Sequence, residues 1–146
     1  MIASTINQKI AEALKAKDEI RLSTLRMLSS ALNYERIAKQ HDLSEEEELV
    51  VVQKEAKKRK DAIEAYEKAG ATDRADKEKT ELDILKKYLP VEMSAEELVK
   101  IINEVVGELR AEGMKDAGKV IGAVMKKAAG RAEGSKVAEI VKSKLL

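Results

Sequence analysis

Apolar residues recur every three or four positions along almost the whole chain, and the recurrence breaks at a few clear points. Ile6, Ile10 and Leu14 form one stripe, which predicts a helix from about Ser4 to Lys17. Asp18 can cap a second helix with Leu22, Leu25, Leu28, Ala31 and Leu32 inward, fading near His41. Ser44 opens a third: Ser44-x-x-Glu47 has capping-box spacing, and Glu45 to Glu48 suit the positive end of the helix dipole. Gly70 is placed to end it, because glycine enters the left-handed region without a Cβ clash. Thr72 or Asp73 starts a fourth, with Leu82, Leu85 and Leu89 on one face, and Pro90 stops it.

Beyond Pro90 the pattern resumes. Ser94-x-x-Glu97 is a second capping box, with Met93 and Leu98 at the hydrophobic-staple positions. Ile101, Ile102, Val105, Val106 and Leu109 supply the buried side of that helix, and Gly113 is placed to stop it. Asp116 can cap a short helix carrying Val120, Ile121, Val124 and Met125, ended at Gly130. A last helix carries Val137, Ile140, Val141 and Leu145. The pattern predicts an all-α fold: an N-terminal domain of about four helices over 1–90, then a small three-helix domain over 91–146.

Composition agrees. The chain has 146 residues, 38% of them charged, one Pro, and no Phe or Trp. Leu, Ile, Val and Ala carry the apolar mass, and Ala, Leu, Glu and Lys favour helix. No apolar run reaches bilayer length and no signal peptide opens the chain, so a cytoplasmic protein without membrane contact is expected. With no Cys and a single His, no thiolate or His-based metal site is expected, nor any other cofactor. His41 stands just before a helix start and reads as a loop or cap residue.

Charge changes the picture more than composition does. Residues 113–146 hold eight Lys/Arg against three Asp/Glu, a net of +5, whereas residues 90–112 hold two against six, a net of −4. A polarised end of this kind suits an anionic partner, most simply nucleic acid. The three tyrosines stand apart from the basic end, so contact is expected with the phosphate backbone rather than by base stacking.

Three constellations are candidates for that contact. Gly113-x-x-x-x-Gly118-Lys119-Val120 approaches a P-loop, but a helix precedes it, and Val120 replaces the Ser or Thr that would meet Mg²⁺. Gly118 and Gly122 lie four apart in one helix, where each glycine costs roughly 1 kcal/mol against Ala. Either a neighbouring helix packs closely there or an RNA backbone does. Gly130-Arg131-Ala132-Glu133-Gly134 is a tight turn whose amides could receive a phosphate, with Lys119, Lys126, Lys127 and Arg131 within reach. Arg131 either forks a phosphate or bonds a helix C-terminal carbonyl.

A second basic run, Lys54 to Lys60, is a solvated face or a binding face. Within it Arg59 interrupts the apolar stripe Leu49, Val52, Ala56, Ile63 and Tyr66. An Arg on the inner stripe has to pair or line a cleft, and Glu12, Glu35 and Glu81 are possible partners.

Several short motifs occur in an order that resembles the YqeY-like proteins over essentially the whole chain. They are Leu25-Arg26-Met27-Leu28, Gln53 through Asp61, Glu67-Lys68-Ala69-Gly70, Tyr88-Leu89-Pro90, Gly118-Lys119-Val120-Ile121-Gly122 and Gly130-Arg131-Ala132-Glu133-Gly134. Glu133 stands where the family usually has Asp, which weakens that position as a helix cap and leaves Ser135 to take over. The C-terminal part of the family is similar to the tail of the B subunit of the tRNA-dependent amidotransferase, which touches tRNA while catalysis resides in other domains.

The resemblance implies a helical domain followed by a three-helix tail, and an association with glutamine-dependent carbon–nitrogen ligase activity. It implies tRNA as a partner, and a tRNA amidotransferase or related complex as another. Gly118, Lys119, Gly122, Lys126, Lys127, Gly130 and Arg131 are the expected nucleic-acid contacts, and no residue is expected to be catalytic. Two alternatives stay open: a helical adaptor that binds protein, and a non-catalytic component of a larger amide-transferring assembly.

Overall fold

The computed structural model describes residues 1–146 and contains seven α-helices with one short 3-10 turn. They are α1 (Ile2–Lys15), α2 (Glu19–Lys39), α3 (Glu45–Lys68), α4 (Thr72–Lys86), α5 (Ala95–Leu109), the 3-10 turn Met114–Asp116, α6 (Ala117–Ala128) and α7 (Gly134–Leu145). The chain forms two compact units, Met1–Leu89 and Pro90–Leu146. Each closes its own aliphatic core.

In the first unit α3 pairs with α4 and α1 with α2, while α2 also packs on α3 and α4. Ile6, Leu28, Leu32, Leu43, Val51, Val52 and Leu85 are buried together. The Asp18 carboxylate caps α2 by accepting the Arg21 N–H at 3.1 Å. Ser44 and Glu47 close the expected capping box, and Gly70 is left-handed at φ 72° just past α3. His41 is an exposed loop residue with Nδ1 2.8 Å from the Asp42 carbonyl.

Two expectations for this unit change. Leu14 is 56% exposed and Ala13 is buried in its place. Ile6, Ile10 and Ala13 follow the i, i+4, i+7 line of a helix, and Leu14 falls one position past it. Glu48 serves α1 rather than the dipole of its own helix. It is 1% exposed, and its carboxylate accepts the Ile2 N–H at 3.3 Å and the Ala3 N–H at 2.6 Å. Met1 makes no side-chain cap, so Glu48 satisfies two amides that α1 cannot satisfy itself. Helical spacing puts Glu48 on the inner line with Val51, Val52, Glu55, Ala56 and Arg59.

Arg59 is buried among three carboxylates. Its Nη1 donates to Glu55 Oε2 at 3.3 Å and its Nη2 to Met27 Sδ at 3.5 Å. Its Nε lies 3.2 Å from Glu81 Oε2 and 3.7 Å from Glu78 Oε2 but makes a hydrogen bond with neither. Of the three partners considered from sequence, the fold selects Glu81 and adds Glu55 and Glu78, all on α3 and α4. Burial, then the adjacent Glu78 carboxylate, hold the Glu81 carboxyl above its ordinary 4.5 despite the pull of Arg59.

In the second unit Leu98, Ile102 and Val105 of α5, Val120 and Val124 of α6, and Val137 and Val141 of α7 form the core. Ser94 and Glu97 form their capping box, and the staple residues Met93 and Leu98 are both buried. Three terminus assignments differ from expectation. Arg110, left-handed at φ 50°, ends α5 in place of Gly113, which is extended. Ala111 N–H to Val106 O (3.1 Å) and Arg110 N–H to Gly107 O (3.3 Å) close a Schellman motif there first. The Asp116 carboxylate accepts the Glu112 N–H at 3.0 Å instead of capping α6, because the 3-10 turn already leads into that helix. Ser135 does not replace Glu133 as a cap: it sits inside α7, and its hydroxyl donates to the Glu133 carboxylate at 3.0 Å.

Replacing Glu48 by Ala leaves the Ile2 and Ala3 amides without their acceptor. Urea denaturation should show a loss of about 1–3 kcal/mol. Glu81 predicts a pH effect. A carboxyl that holds its proton more tightly in the fold favours the fold below the ordinary 4.5, and that favour is lost as pH rises through the raised value. Glu81→Gln should therefore remove part of the stability lost as pH rises above 4.5, as read from melting temperatures across a pH series.

Candidate nucleic-acid interface

The seven residues singled out from sequence divide into two sets in space. α6 buries Ala117, Val120, Val124 and Ala128 against its neighbours. That spacing turns Gly118, Lys119, Gly122 and Lys126 outward, and all four are exposed. The glycines decide one of the open readings. A Cβ built at Gly118 or Gly122 meets no atom within 4 Å, so no other helix of the C-terminal unit packs on them. Two helical glycines at a cost of roughly 2 kcal/mol together therefore lack a packing reason within the fold. The P-loop reading falls as well, since Gly118 and Lys119 are already inside α6, preceded by a 3-10 turn and not a strand.

Lys119 and Lys126 have no carboxylate within salt-bridge distance. Together with the glycines they form a strip with bare backbone and free ammonium groups.

The second set is engaged in the fold. Lys127 Nζ donates to both Glu108 oxygens, at 3.0 and 3.1 Å, and ties α6 to α5. Arg131 Nε donates to the Val91 carbonyl at 2.9 Å, and Nη2 to Glu97 Oε2 at 3.2 Å. Its backbone carbonyl accepts the Met93 N–H at 2.7 Å. The carbonyl it binds belongs to the segment entering α5, not to a helix C-terminus. Gly130 is left-handed at φ 82° beside Ala129 at φ 48°, and this turn carries Arg131 to the α5 cap.

Two residues missed from sequence set this division. Glu97 shares one oxygen, Oε2, between the Ser94 amide of its capping box and Arg131. Its three-residue spacing from Ser94 announced the box but not the arginine. Glu108 gave no sequence signal, because its partner is 19 residues away. Across the chain, no group of three or more His, Asp or Glu side chains is arranged to hold a metal ion. No helix is long and apolar enough to cross a membrane.

The fold and this strip define an all-helical protein with a basic, glycine-bearing helix face in its C-terminal unit. The chain matches the YqeY-like protein family over residues 3–145, and it belongs to that family. An uncharacterized protein of Schizosaccharomyces pombe is 30% identical over 89 residues, covering 61% of this chain and 72% of its own length. "Altered inheritance of mitochondria protein 41, mitochondrial", of Lachancea thermotolerans, is 32% identical over 126 residues, covering 81% of this chain and 67% of its own.

Arg131→Ala should lower stability by about 0.5–1.5 kcal/mol, since it removes one carbonyl bond and one exposed ion pair. Amide exchange should rise most around Val91 to Leu98, the segment that Arg131 braces.

Proposed function

We propose that this protein is a tRNA-binding accessory factor and that the outer strip of α6 receives the RNA backbone. The observation that carries the reading is the pair Gly118 and Gly122, exposed and packed on by nothing, beside the unpaired Lys119 and Lys126. A helix without Cβ atoms on one side lets a phosphate backbone approach its peptide groups, and two flanking ammonium groups supply the charge. Such contacts position a nucleic acid without reading its sequence, so selectivity would rest on tRNA shape. The net charge of residues 113–146 and the resemblance of the C-terminal unit to the tail of the amidotransferase B subunit support the same reading. In this role the chain holds RNA, and any amide transfer belongs to partner subunits.

The test is tRNA binding by fluorescence anisotropy across a salt series. Two phosphate contacts imply a log–log slope of about −1.4 to −1.8. A slope of about −2.8 to −3.6 would mean that Lys127 and Arg131 leave their carboxylates and join. Lys119→Ala with Lys126→Ala should abolish most of the salt dependence. Gly118→Ala with Gly122→Ala should raise stability by about 1–2 kcal/mol in total, because open helical positions gain from Ala, yet should weaken tRNA binding. Binding that is salt-independent, or unchanged in both double variants, would refute the assignment.

A further inference from the structure

A cavity of about 620 Å³ opens in the first unit, where the start of α1, the second half of α2 and the loop from α2 to α3 come together. That volume lies in the range of pockets that enclose drug-sized molecules. Ile6, Leu32 and Leu43 give it an apolar base, and each is otherwise buried. Asn7, Ser29 and Asn33 add neutral polar groups. No aromatic side chain lines it, so a nucleobase would find nothing to stack on.

Two of the lining side chains are charged, and they are opposite in sign. Arg36 stands on α2, and Asp42 stands in the loop, just ahead of the buried Leu43 and the Ser44 capping box that fix its place. Neither forms an ion pair, with the other or with any residue of the chain. The guanidinium is oriented all the same. Asn33 Oδ1 accepts from its Nε at 3.3 Å and from its Nη2 at 3.0 Å. A neutral acceptor thus holds one edge of the fork, and the edge formed by Nη1 and Nη2 has no partner. At Asp42 only the backbone carbonyl is engaged, 2.8 Å from His41 Nδ1, and the carboxylate accepts no hydrogen bond.

A purely anionic ligand would meet Asp42, and a purely cationic one would meet Arg36. A molecule with one charge of each sign, separated by an aliphatic body, complements both. We propose that this cavity binds a di- or tripeptide with free ends. Its α-carboxylate takes the open edge of Arg36, its α-ammonium meets Asp42, and its aliphatic side chains cover Ile6, Leu32 and Leu43. Asn7 and Ser29 each offer a donor and an acceptor, which is what the peptide groups between the two ends require. A single amino acid would leave most of the volume to water.

The test is binding of the tripeptide Ala-Leu-Ala to the intact chain, followed by backbone amide chemical shifts at about pH 6.5, where both ends of the peptide are charged. Its N-acetylated form, its C-terminal amide and free leucine serve as comparisons. Two exposed charge contacts and a modest apolar area correspond to a Kd of roughly 0.1–1 mM. Shifts should concentrate at Asn7, Ser29, Asn33, Arg36 and Asp42. Leucine and each blocked form should bind at least about tenfold more weakly than the free tripeptide. Arg36→Gln should erase the advantage over the C-terminal amide and keep the preference for a free N-terminus; Asp42→Asn should do the reverse. Both side chains are exposed, so neither change disturbs the core. No saturable binding up to about 10 mM peptide overturns the proposal. So do blocked forms that bind as well as the free tripeptide, or variants that keep both preferences. Leucine that binds as tightly as the tripeptide also overturns it, because the occupant is then a single amino acid.

Discussion

Aliphatic side chains of similar size pack well but choose poorly among helix registers. With no Phe or Trp to lock the geometry, this chain fixes its helices by their ends and by buried charge. Glu48 is the clearest case. A carboxylate on the inner line of α3 accepts the first amides of α1, so α1 can neither slide nor rotate without orphaning them. Arg59 does comparable work between α3 and α4, where one guanidinium meets carboxylates from both helices. Its geometry is imperfect, as the unsatisfied Nε shows. A buried ion group of this kind selects an arrangement more than it adds stability.

The same device shapes the C-terminal unit and determines which cations are available. Glu97 and Glu108 each take a basic residue out of the positive end, by holding Arg131 against the α5 cap and Lys127 against α5. Of the eight basic residues there, Lys119, Lys126, Lys136, Lys142 and Lys144 make no ion pair, and the first two stand beside two glycines. The net charge of +5 for residues 113–146 is therefore a poor measure of the surface offered to an anion. Carboxylates of the preceding, acidic segment reach across and neutralise part of it.

Legibility from sequence followed the range of the interactions. Both capping boxes, the Met93–Leu98 staple and the Asp18 cap are contained within a few residues and appear as the pattern predicts, while helix periodicity gave the inward stripes but misplaced Leu14 and Leu109, which lie at helix ends and are exposed. The all-helical class and the YqeY-like family were legible for the same reason, since the motifs are short and in order. What went unread spans distance. Glu48 looked like an ordinary first-turn acid until α1, more than 40 residues earlier, was placed beside it. The termini of α5 and α6 were misassigned because Gly113 and Asp116 have the right chemistry for an end or a cap. The Schellman closure at Arg110 and the 3-10 turn had already done that work through backbone hydrogen bonds that side-chain identity does not announce.

Gly118 and Gly122 show most sharply how local and functional requirements diverge. Every other element in the C-terminal unit agrees with itself: good helix formers, boxed and stapled starts, aliphatic faces turned inward. Gly118 and Gly122 in α6, like Gly107 in the last turn of α5, are helical glycines with neither a left-handed backbone nor an atom within 4 Å of a Cβ to justify them, and only in α6 do two of them share one face. A sequence consistent at every other level tends to break its own rules where something outside the fold imposes them. Two of the cations that the carboxylates leave free, Lys119 and Lys126, stand beside Gly118 and Gly122. Bare backbone and unneutralised charge are independent departures from what stability alone would choose, and under the proposed function their coincidence on one strip of α6 is what an anionic polymer would require.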